Sequence, residues 1–192
     1  MKIDKSLLFG VLIGMALGLV LAAETMHLAS DRTCPGNICL GASEIVPVSD
    51  KGYFPKVHEA LLNAKKSIHI AAFELKYYSN YKNSSENTII DDIISAHERG
   101  VDVKIVLDQY SAQDNATNAY FYLKKKGVPV RYDSDKTTTH AKLVIIDGKV
   151  VVLGSTNFSY TSLELNNEVD VVLFSEEAAR YFEQYFQKLW DG

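Results

Sequence analysis

Apolar and polar positions alternate along most of the chain with the two periods that distinguish strands from helices. Short apolar runs, typical of strands buried in a sheet, lie at 45–48, 67–73, 101–107 and 128–132. Apolar residues spaced three and four apart, typical of amphipathic helices, lie at 53–64, 89–96 and 116–123. This order of elements predicts an α/β fold in which a mixed β-sheet is sandwiched between helices on its two faces.

A β-hairpin with polar ends is predicted in the second half of the chain. His140 and Lys142 are two residues apart in an extended stretch, so their side chains leave the same face of the strand. An Asp-Gly pair at 147–148 separates two apolar runs and indicates a hairpin turn. Closing this hairpin brings Ser155 and Asn157 beside His140 and Lys142. An imidazole, an ammonium, a hydroxyl and an amide would then converge, which is a set suited to an oxyanion.

The C-terminal part predicts one more strand and one more helix. Residues 168–174 are predicted to form a strand, and Ser175 has the chemistry of a helix N-cap. The residues that this helix is expected to bury are Ala178, Phe182, Tyr185, Phe186 and Leu189.

The N-terminal segment differs from the rest of the chain. Lys2 and Lys5 precede seventeen uncharged residues, Leu7–Ala23, which predict a hydrophobic helix before the folded domain. Residues 1–23 are therefore interpreted as a membrane anchor or as a cleaved signal peptide, 24–43 as a linker, and 44–192 as the catalytic domain. Because lysines before such a segment favour an inside N-terminus, both interpretations place the domain outside the cytoplasm, either anchored to the cell membrane or secreted.

The two cysteines of the chain, Cys34 and Cys39, flank a turn-forming insert within the linker. In an oxidising compartment such a pair predicts a short-loop disulfide. A zinc site has less support because there is no second cysteine pair. Two free thiols remain the other alternative.

Composition is typical of a globular protein, with 192 residues, 47% of them hydrophobic, and a formal net charge of −4. An acidic total lowers the expectation of a nucleic-acid partner, which usually meets a basic face. A local basic groove is still compatible with this total.

The polar stretch from Tyr77 to Tyr81 is predicted to be a surface loop near the site. Its tyrosines, with the neighbouring Lys76 and Lys82, could stack nucleic-acid bases and hold phosphates. The same side chains suit a membrane interface, and a solvated loop without a function is the third alternative.

The spacing of the hairpin residues resembles the HxK(x4)D(x6)GS signature of the phospholipase D superfamily. An asparagine in the form GSxN and an acidic residue further along the chain resemble its small single-motif branch, which includes bacterial endonucleases and mitochondrial cardiolipin hydrolases. The residues that carry the resemblance are His140, Lys142, Asp147, Gly154, Ser155, Asn157 and Glu168. The similarity extends from about Ile45 to Trp190 and implies the phospholipase D-like fold.

The resemblance implies phosphodiester cleavage through a phosphohistidine, with His140, Lys142, Asp147 and Glu168 as the catalytic set. Because the sequence holds a single copy of the motif, it also implies a homodimer with a shared active site. His140 of one copy would attack phosphorus, while the same residue of the second copy would protonate the leaving group. Glu168 would hold the imidazole in the required tautomer. No metal or cofactor is implied, because the lysines supply the positive charge.

The supporting roles are divided between chemistry and structure. Ser155 and Asn157 would bind the substrate by donating hydrogen bonds to phosphate oxygens. Asp147 belongs to the motif, yet its place in a hairpin turn is a sufficient structural explanation, and we expect a turn bond or a salt bridge there. Gly154 is expected to permit close backbone approach.

The predicted function is a metal-independent phosphodiesterase, with an endonuclease acting on DNA or RNA as the first hypothesis. The alternative is a phospholipase D acting on membrane lipids such as cardiolipin or phosphatidylcholine, with residues 7–23 as the membrane contact. A third hypothesis, from another class, is an inactive membrane-tethered binding module. The complete set of motif residues argues against the third, because a binding module needs no nucleophile.

Overall fold

The computed structural model describes residues 38–41, 44–113 and 118–192. All helices and strands in these ranges lie in a compact unit that spans residues 40–192. The predicted leader, residues 1–23, and most of the predicted linker lie outside the described residues, as does Cys34, so the anchor and the Cys34–Cys39 disulfide stay predictions. Within the described ranges, no helix has both the length and the apolarity needed to span a membrane.

Seven strands form a single mixed sheet. They are β1 (Ile45–Ser49), β2 (Ser67–Ala72), β3 (Asp102–Leu107), β4 (Val130–Tyr132), β5 (Lys142–Ile146), β6 (Val150–Gly154) and β7 (Val169–Phe174). Their order in space is β1-β7-β6-β5-β2-β3-β4. Strands β2, β3 and β4 are parallel neighbours, whereas every other neighbouring pair in the sheet is antiparallel. The mixed sheet of the prediction is therefore confirmed.

Four α-helices connect or follow the strands, and three single-turn elements lie in the loops. The helices are α1 (Tyr53–Asn63), α2 (Ser85–Glu98), α3 (Tyr120–Lys125) and α4 (Glu176–Asp191). The short elements are two 3₁₀ turns, Asp50–Gly52 and Gln109–Gln113, and a π-helical turn, Thr161–Leu165.

Helices cover both faces of the sheet, as β2 shows by its alternation. Ile68 and Ile70 point to one face and join the main apolar core with residues of α1, α2 and α3. His69 points to the other face, where its ring stacks on Phe186 of α4 at 4.8 Å between centroids. Its Nδ1 also lies 2.7 Å from Oε2 of Glu183 in the same helix. The prediction of helices on both faces is confirmed.

The hairpin between β5 and β6 also agrees with the prediction. The Lys149 backbone N–H donates to the Ile146 carbonyl at 3.1 Å across the turn. The two central residues, Asp147 and Gly148, have φ angles of +56° and +65°. Two positive φ angles define a type I′ turn, whose twist matches that of the strands it joins.

Two predictions about helices are wrong in part. Helix α3 begins at Tyr120 and has only six residues, because Asn118 bonds its side chain to the Tyr120 backbone N–H and starts the helix late. Tyr185, expected inside, is 41% exposed on α4. The helix buries Ala178 and Phe186 in its core-facing stripe, and Ser175 caps it by accepting from the Ala178 N–H at 3.2 Å, as predicted.

Candidate active site

The predicted site residues lie at the edge of the sheet where β2 and β3 end and β5 begins. Phe73 follows β2, Asp108 follows β3, and His140 lies two residues before β5 begins. Because β5 is antiparallel to β2, Lys142 pairs with Ala72 at the end of that strand. The chain leaving β2 continues this pairing, since the Phe73 N–H donates to the Ala141 carbonyl at 2.9 Å. The topology therefore brings loops from several strands to one place.

His140 and Lys142 form the centre of the site. The Lys142 Nζ lies 3.4 Å from His140 Nε2 and donates to the His140 backbone carbonyl at 3.0 Å. The imidazole is exposed, whereas Lys142 is only 8% exposed. An accessible nucleophilic nitrogen thus lies beside a buried cation, which is the arrangement that a phosphoryl group requires.

Burial lowers the pKa of Lys142, although the carboxylates of Glu168 and Glu74 partly offset this by favouring the charged ammonium. Its Nζ also lies 5.1 Å from the centre of the Phe73 ring, a distance at which a cation and a π face attract. A cation held in a partly desolvated place interacts more strongly with a phosphate than one in bulk water.

Aromatic rings fix the position of the imidazole. The Phe73 ring lies 4.6 Å from the His140 ring, and Tyr110 stacks on Phe73 at 5.8 Å. The loop before the histidine is held by Asp108, whose Oδ2 accepts from the Thr139 N–H at 2.6 Å. Asp108 is buried at 2% exposure, so this anchor is protected from water.

Glu168 lies in the site, but its side-chain hydrogen bonds go to other partners than the histidine. Its Oε2 accepts a short hydrogen bond from the Ser155 hydroxyl, and its Oε1 accepts from Asn166 Nδ2 at 3.0 Å. Among the described residues of one protomer, no bond joins Glu168 to His140, so its predicted role on the imidazole stays a prediction. Its observed electrostatic effect is on Lys142.

The two predicted phosphate donors, Ser155 and Asn157, differ in the hydrogen bonds that their side chains make. The Ser155 hydroxyl donates to Glu168 and accepts from the Val169 N–H at 3.1 Å, so it is part of the site's own network. The side-chain oxygen of Asn157 is buried and makes no hydrogen bond with any described residue. Its predicted role as a donor stays a prediction.

Gly154 permits the close approach of β7 to the site, as expected. A Cβ atom at this position would lie 2.1 Å from Asp170 Oδ1 and 2.5 Å from Asp170 Cα. Asp170 needs this space because its carboxylate accepts from both the hydroxyl and the N–H of Thr156, at 2.6 and 3.2 Å. The pair holds the Ser155–Asn157 loop against β7.

Asp147 lies at the opposite end of the hairpin, about 17 Å from the site at roughly 3.4 Å per residue. Its carboxylate accepts from the backbone N–H groups of Lys65, Lys66 and Ser67, at 3.0, 2.7 and 3.1 Å. Although burial alone would raise the pKa of Asp147, these bonds outweigh that effect and lower it. These bonds tie the turn to the start of β2, as the structural explanation of Asp147 expects, and its place in the catalytic set stays a prediction.

Two carboxylates that position the site were not identified from the sequence. One is Asp108, described above. The other is Asp50, which exchanges two backbone-directed bonds with Glu168: its N–H donates to the Glu168 carbonyl at 3.0 Å, and its Oδ1 accepts from the Glu168 N–H at 2.9 Å. Asp50 and Glu168 are 118 residues apart, and only a positive φ of +50° at a non-glycine residue marks Asp50 as unusual.

A surface pocket of about 340 Å³ opens beside the histidine and the lysine. Strand residues form one wall, and Tyr181, Phe182 and Tyr185 of α4 form the other. The sequence pattern placed Tyr185 in the core, but the side chain is exposed and lines this pocket.

Comparison with known proteins agrees with this geometry. Residues 57–190 match the family described as "Cardiolipin synthase, PLD-like domain". The mitochondrial cardiolipin hydrolase of Danio rerio is 30% identical over 140 residues, which cover 72% of this chain and 57% of that protein. A phospholipase D of Rickettsia typhi is 30% identical over 132 residues, covering 68% of this chain and 59% of that protein. The chain thus spans little more than half the length of these curated relatives.

Among solved structures, Nuc of Salmonella typhimurium, a phospholipase D family member, superposes with a TM-score of 0.66 at 27% identity. The superposition covers 77% of this chain and 93% of Nuc. Since the family match includes the whole hairpin and the strand after it, the sheet-edge site lies within the shared domain. The chain belongs to the phospholipase D superfamily, with the PLD-like domain as its folded unit.

Proposed function

We propose that this protein is a metal-independent phosphodiesterase that cleaves its substrate through a covalent phosphohistidine at His140. The observation that carries the proposal is the exposed imidazole whose Nε2 lies 3.4 Å from the buried Lys142 ammonium. A phosphodiester bound to that ammonium would place its phosphorus within reach of the Nε2 lone pair. Membership of the superfamily, whose curated members here include a phospholipase D, supports this reaction class.

In the first step, Nε2 of His140 attacks phosphorus and forms a P–N bond while the P–O bond to the leaving group breaks. The leaving oxygen takes a proton from an imidazolium on the opposite side, supplied by His140 of the partner subunit. Lys142 stabilises the negative charge on the equatorial oxygens, and Ser155 joins it once its hydroxyl turns from Glu168 to the phosphate.

In the second step, the now neutral imidazole of the partner subunit takes a proton from water. The water oxygen attacks phosphorus, the P–N bond breaks, and His140 is regenerated. The products are an alcohol and a phosphate monoester. The position of Glu168, close enough to act on Lys142, supports a role in keeping that lysine charged through both steps.

The second imidazole requires a homodimer, since the sequence carries one copy of the motif. Exposed apolar side chains beside the site support this arrangement: Leu165 is 63% and Val169 is 71% exposed, on either side of Glu168. Such side chains suit an interface that joins two copies around a shared cleft.

Nucleic acid is the first proposed substrate. Three exposed tyrosines, Tyr110, Tyr181 and Tyr185, surround the histidine and offer ring faces on which bases can stack. The net charge of −4 does not favour this substrate, so its phosphate would have to be held locally, by Lys142.

A phospholipid is the second proposed substrate, favoured by a different observation. The curated relatives given above are named as a cardiolipin hydrolase and a phospholipase D. Exposed tyrosines also suit a lipid interface. An anchor at residues 7–23, as the sequence predicts, would keep the site at the membrane outside the cytoplasm.

The test uses the full chain in excess chelator with single-stranded DNA, RNA, and liposomes of phosphatidylcholine with cardiolipin. We expect cleavage of one substrate class, and a substrate-derived mass on His140 in protein quenched at alkaline pH. His140→Ala should lower kcat/KM at least about 10⁴-fold, because the nucleophile is lost. Its melting temperature should be unchanged, since the side chain is exposed.

Mixing this variant with wild-type chains tests the shared site. Mixed dimers contain one imidazole and should be inactive, so specific activity should fall with the square of the wild-type fraction. A linear fall would contradict the shared site. Activity that disappeared in chelator, or that persisted in the His140→Ala variant, would contradict the phosphohistidine mechanism.

A further inference from the structure

A second pocket, of about 440 Å³, lies beside the first turn of α2 and shares no lining residue with the pocket at His140. Its walls are the rings of Tyr78, Tyr81 and Tyr160, together with Ser84 and Glu86. We refer to it as the tyrosine pocket. The sequence did not predict that three tyrosines and one carboxylate line the same pocket, because Tyr160 is far along the chain from the other four residues.

The carboxylate of this pocket has one oxygen without a hydrogen bond among the described residues. Glu86 is 1% exposed, and its Oε2 is buried without a hydrogen bond to any described residue. The hydroxyl of Ser84, which lines the same pocket, is also buried without a partner. A buried carboxylate oxygen and a buried hydroxyl without a protein partner are costly, so proteins rarely keep them unless a water or a ligand completes them.

The loop that carries two of the rings is held rigidly. Asn87, buried at 2% exposure, accepts from the Tyr78 N–H at 2.8 Å and donates to the carbonyls of Tyr78 and Tyr81 at 2.8 and 3.0 Å. The Tyr160 backbone also lies close enough to the Tyr78 hydroxyl to partly offset the rise that burial causes in the pKa of Tyr78. A pocket ordered in this way loses little conformational entropy when a ligand binds.

The charge of Glu86 decides the class of ligand. A phosphate or another anion would meet a buried carboxylate, and so would the backbone of a nucleic acid. A cation gains from that carboxylate and from the negative faces of three aromatic rings. The nearby lysine, Lys76, has its Nζ 3.1 Å from Glu74 Oε1, so its ammonium is directed to a different carboxylate.

We propose that the tyrosine pocket binds an alkylammonium ion that carries at least one N–H. The rings of Tyr81 and Tyr160 hold the cation, and its N–H group donates to Glu86 Oε2. A second N–H can donate to the Ser84 hydroxyl. An ammonium without N–H groups would leave both oxygens unsatisfied, so the pocket discriminates against quaternary ammonium ions.

Such a group occurs on free amines and on phospholipids with an ethanolamine headgroup. Tyr160 is three residues after Asn157, so the Cα atom of this pocket residue lies within about 11 Å of that of Asn157, at the end of the Ser155–Asn157 loop. The proposal does not depend on the proposed reaction, because binding can be measured without turnover. A headgroup as the source would favour the second substrate of the preceding subsection.

The first experiment is calorimetric titration of the full chain with ethanolamine and its N-methyl series, ending in choline. We expect affinity to fall along the series, with choline at least about ten-fold weaker than ethanolamine, because its charge remains while its N–H donors are gone. Binding of choline as tight as that of ethanolamine would overturn the hydrogen-bonded assignment. Absence of binding to every member would overturn the site.

Substitutions show whether the binding heat measured by calorimetry comes from the tyrosine pocket. Glu86→Gln keeps the side-chain size and should weaken ethanolamine at least about ten-fold by removing the charge. Tyr81→Ala removes a ring that is 68% exposed and should weaken it about three-fold or more. Phe121→Ala removes a similarly exposed ring, 58%, outside the pocket and should change nothing. Equal effects of Tyr81→Ala and Phe121→Ala would contradict the proposal.

Vesicles distinguish the two sources of the ammonium. The inactive His140→Ala chain should bind phosphatidylethanolamine vesicles more tightly than phosphatidylcholine vesicles, and Glu86→Gln in that background should remove the difference, if the ligand is a headgroup. If the free amine binds but the vesicles show no difference, the ligand is a free amine and the site stands. Since neither result involves cleavage, failure of the phosphodiesterase proposal would be seen separately.

Discussion

The two ends of the β5–β6 hairpin carry charged residues of the same sequence motif, yet their surroundings differ. At the turn end, Asp147 is bonded by three backbone N–H groups, and its pKa is lowered because the charged form is stabilised. At the open end, Lys142 is more deeply buried, and its pKa is lowered because the charged form is destabilised. A shift in the same direction thus has opposite consequences for stability.

This difference separates structure from chemistry within one motif. The turn end is complete by itself, since its carboxylate meets the donors it needs. The open end holds a cation without full compensation beside an exposed imidazole, and an incoming phosphate would supply the missing negative charge. Binding sites commonly contain such incomplete electrostatics, at a cost in stability that the rest of the fold offsets.

Among substitutions in the two ends of the hairpin, the largest effect after His140→Ala is expected from Lys142→Met. Losing the cation should lower kcat about 10² to 10³-fold, as removal of a group that stabilises transition-state charge usually does. Because the folded-state pKa of Lys142 is below the ordinary 10.5, the unfolded chain binds the proton more tightly, and the contribution of Lys142 to stability should rise as pH increases through this interval. Tyrosines with raised pKa values act in the opposite direction near pH 10 in both proteins, so the test is a difference: in urea unfolding between pH 7 and 10.5, the stability of the wild type relative to Lys142→Met should rise with pH.

Activity against pH provides the control for that substitution. In the wild type, deprotonation of Lys142 should add a second fall in kcat/KM below pH 10.5, beyond the fall caused by loss of the imidazolium proton that the first step needs. Lys142→Arg stays charged, so any activity that it retains should lack this second fall. The same second fall in both proteins would assign that titration to another group.

The next effect compares a glycine at each end of the hairpin. Gly154→Ala places a Cβ within 2.5 Å of the Asp170 backbone and should lower the free energy of unfolding by about 3 kcal/mol, because β6 and β7 must separate. Gly148→Ala meets no atom within 4 Å and should lose only about 1 to 2 kcal/mol from its positive φ. Urea denaturation of both variants measures the difference. Equal losses would show that β7 can move away without strain.

A smaller effect than that of Gly154→Ala is expected from Asp147, at the turn end. Asp147→Asn keeps the shape but removes charge-assisted bonds, so it should lower the free energy of unfolding by about 2 kcal/mol. Since the folded pKa of Asp147 is below 3.8, this loss should be complete at neutral pH and should shrink as pH falls below 3.8. Thermal melts from pH 2 to 7 measure it.

The catalytic activity of Asp147→Asn provides a second test of the difference between the two ends of the hairpin. If Asp147 is structural, the folded Asp147→Asn protein should keep kcat/KM within about two-fold of the wild type at 25 °C. A loss comparable to that of Lys142→Met would return Asp147 to the catalytic set and remove the distinction between the two ends.

Much of the fold could be predicted because the signals are local. The Asp147-Gly148 pair fixed the hairpin through its two positive φ angles, and the two-residue spacing of His140 and Lys142 placed them together at its open end. The burial of Tyr185 was predicted wrongly because burial does not depend on local signals alone. Helical periodicity indicates an apolar stripe, but only the packed sheet shows that the stripe ends before the pocket.

Residues that position the site or line the tyrosine pocket from distant parts of the chain could not be predicted. Asp50 bonds to Glu168 across 118 positions, and Tyr160 lines the same pocket as Glu86 only because its loop lies next to the first turn of α2. No periodicity or spacing connects such pairs, since the contact depends on the order of the strands in the sheet.

The sequence by itself determined the elements, the hairpin turn and the central imidazole–ammonium pair, because backbone preferences and two-residue spacing act over a few positions. Tertiary structure alone decided that Lys142 is buried and that Glu168 bonds to Ser155 and Asn166. It also created the tyrosine pocket, in which Glu86 Oε2 is buried without a hydrogen bond to any described residue. Burial and the satisfaction of polar groups depend on what surrounds a side chain in three dimensions, and a linear pattern does not contain that information.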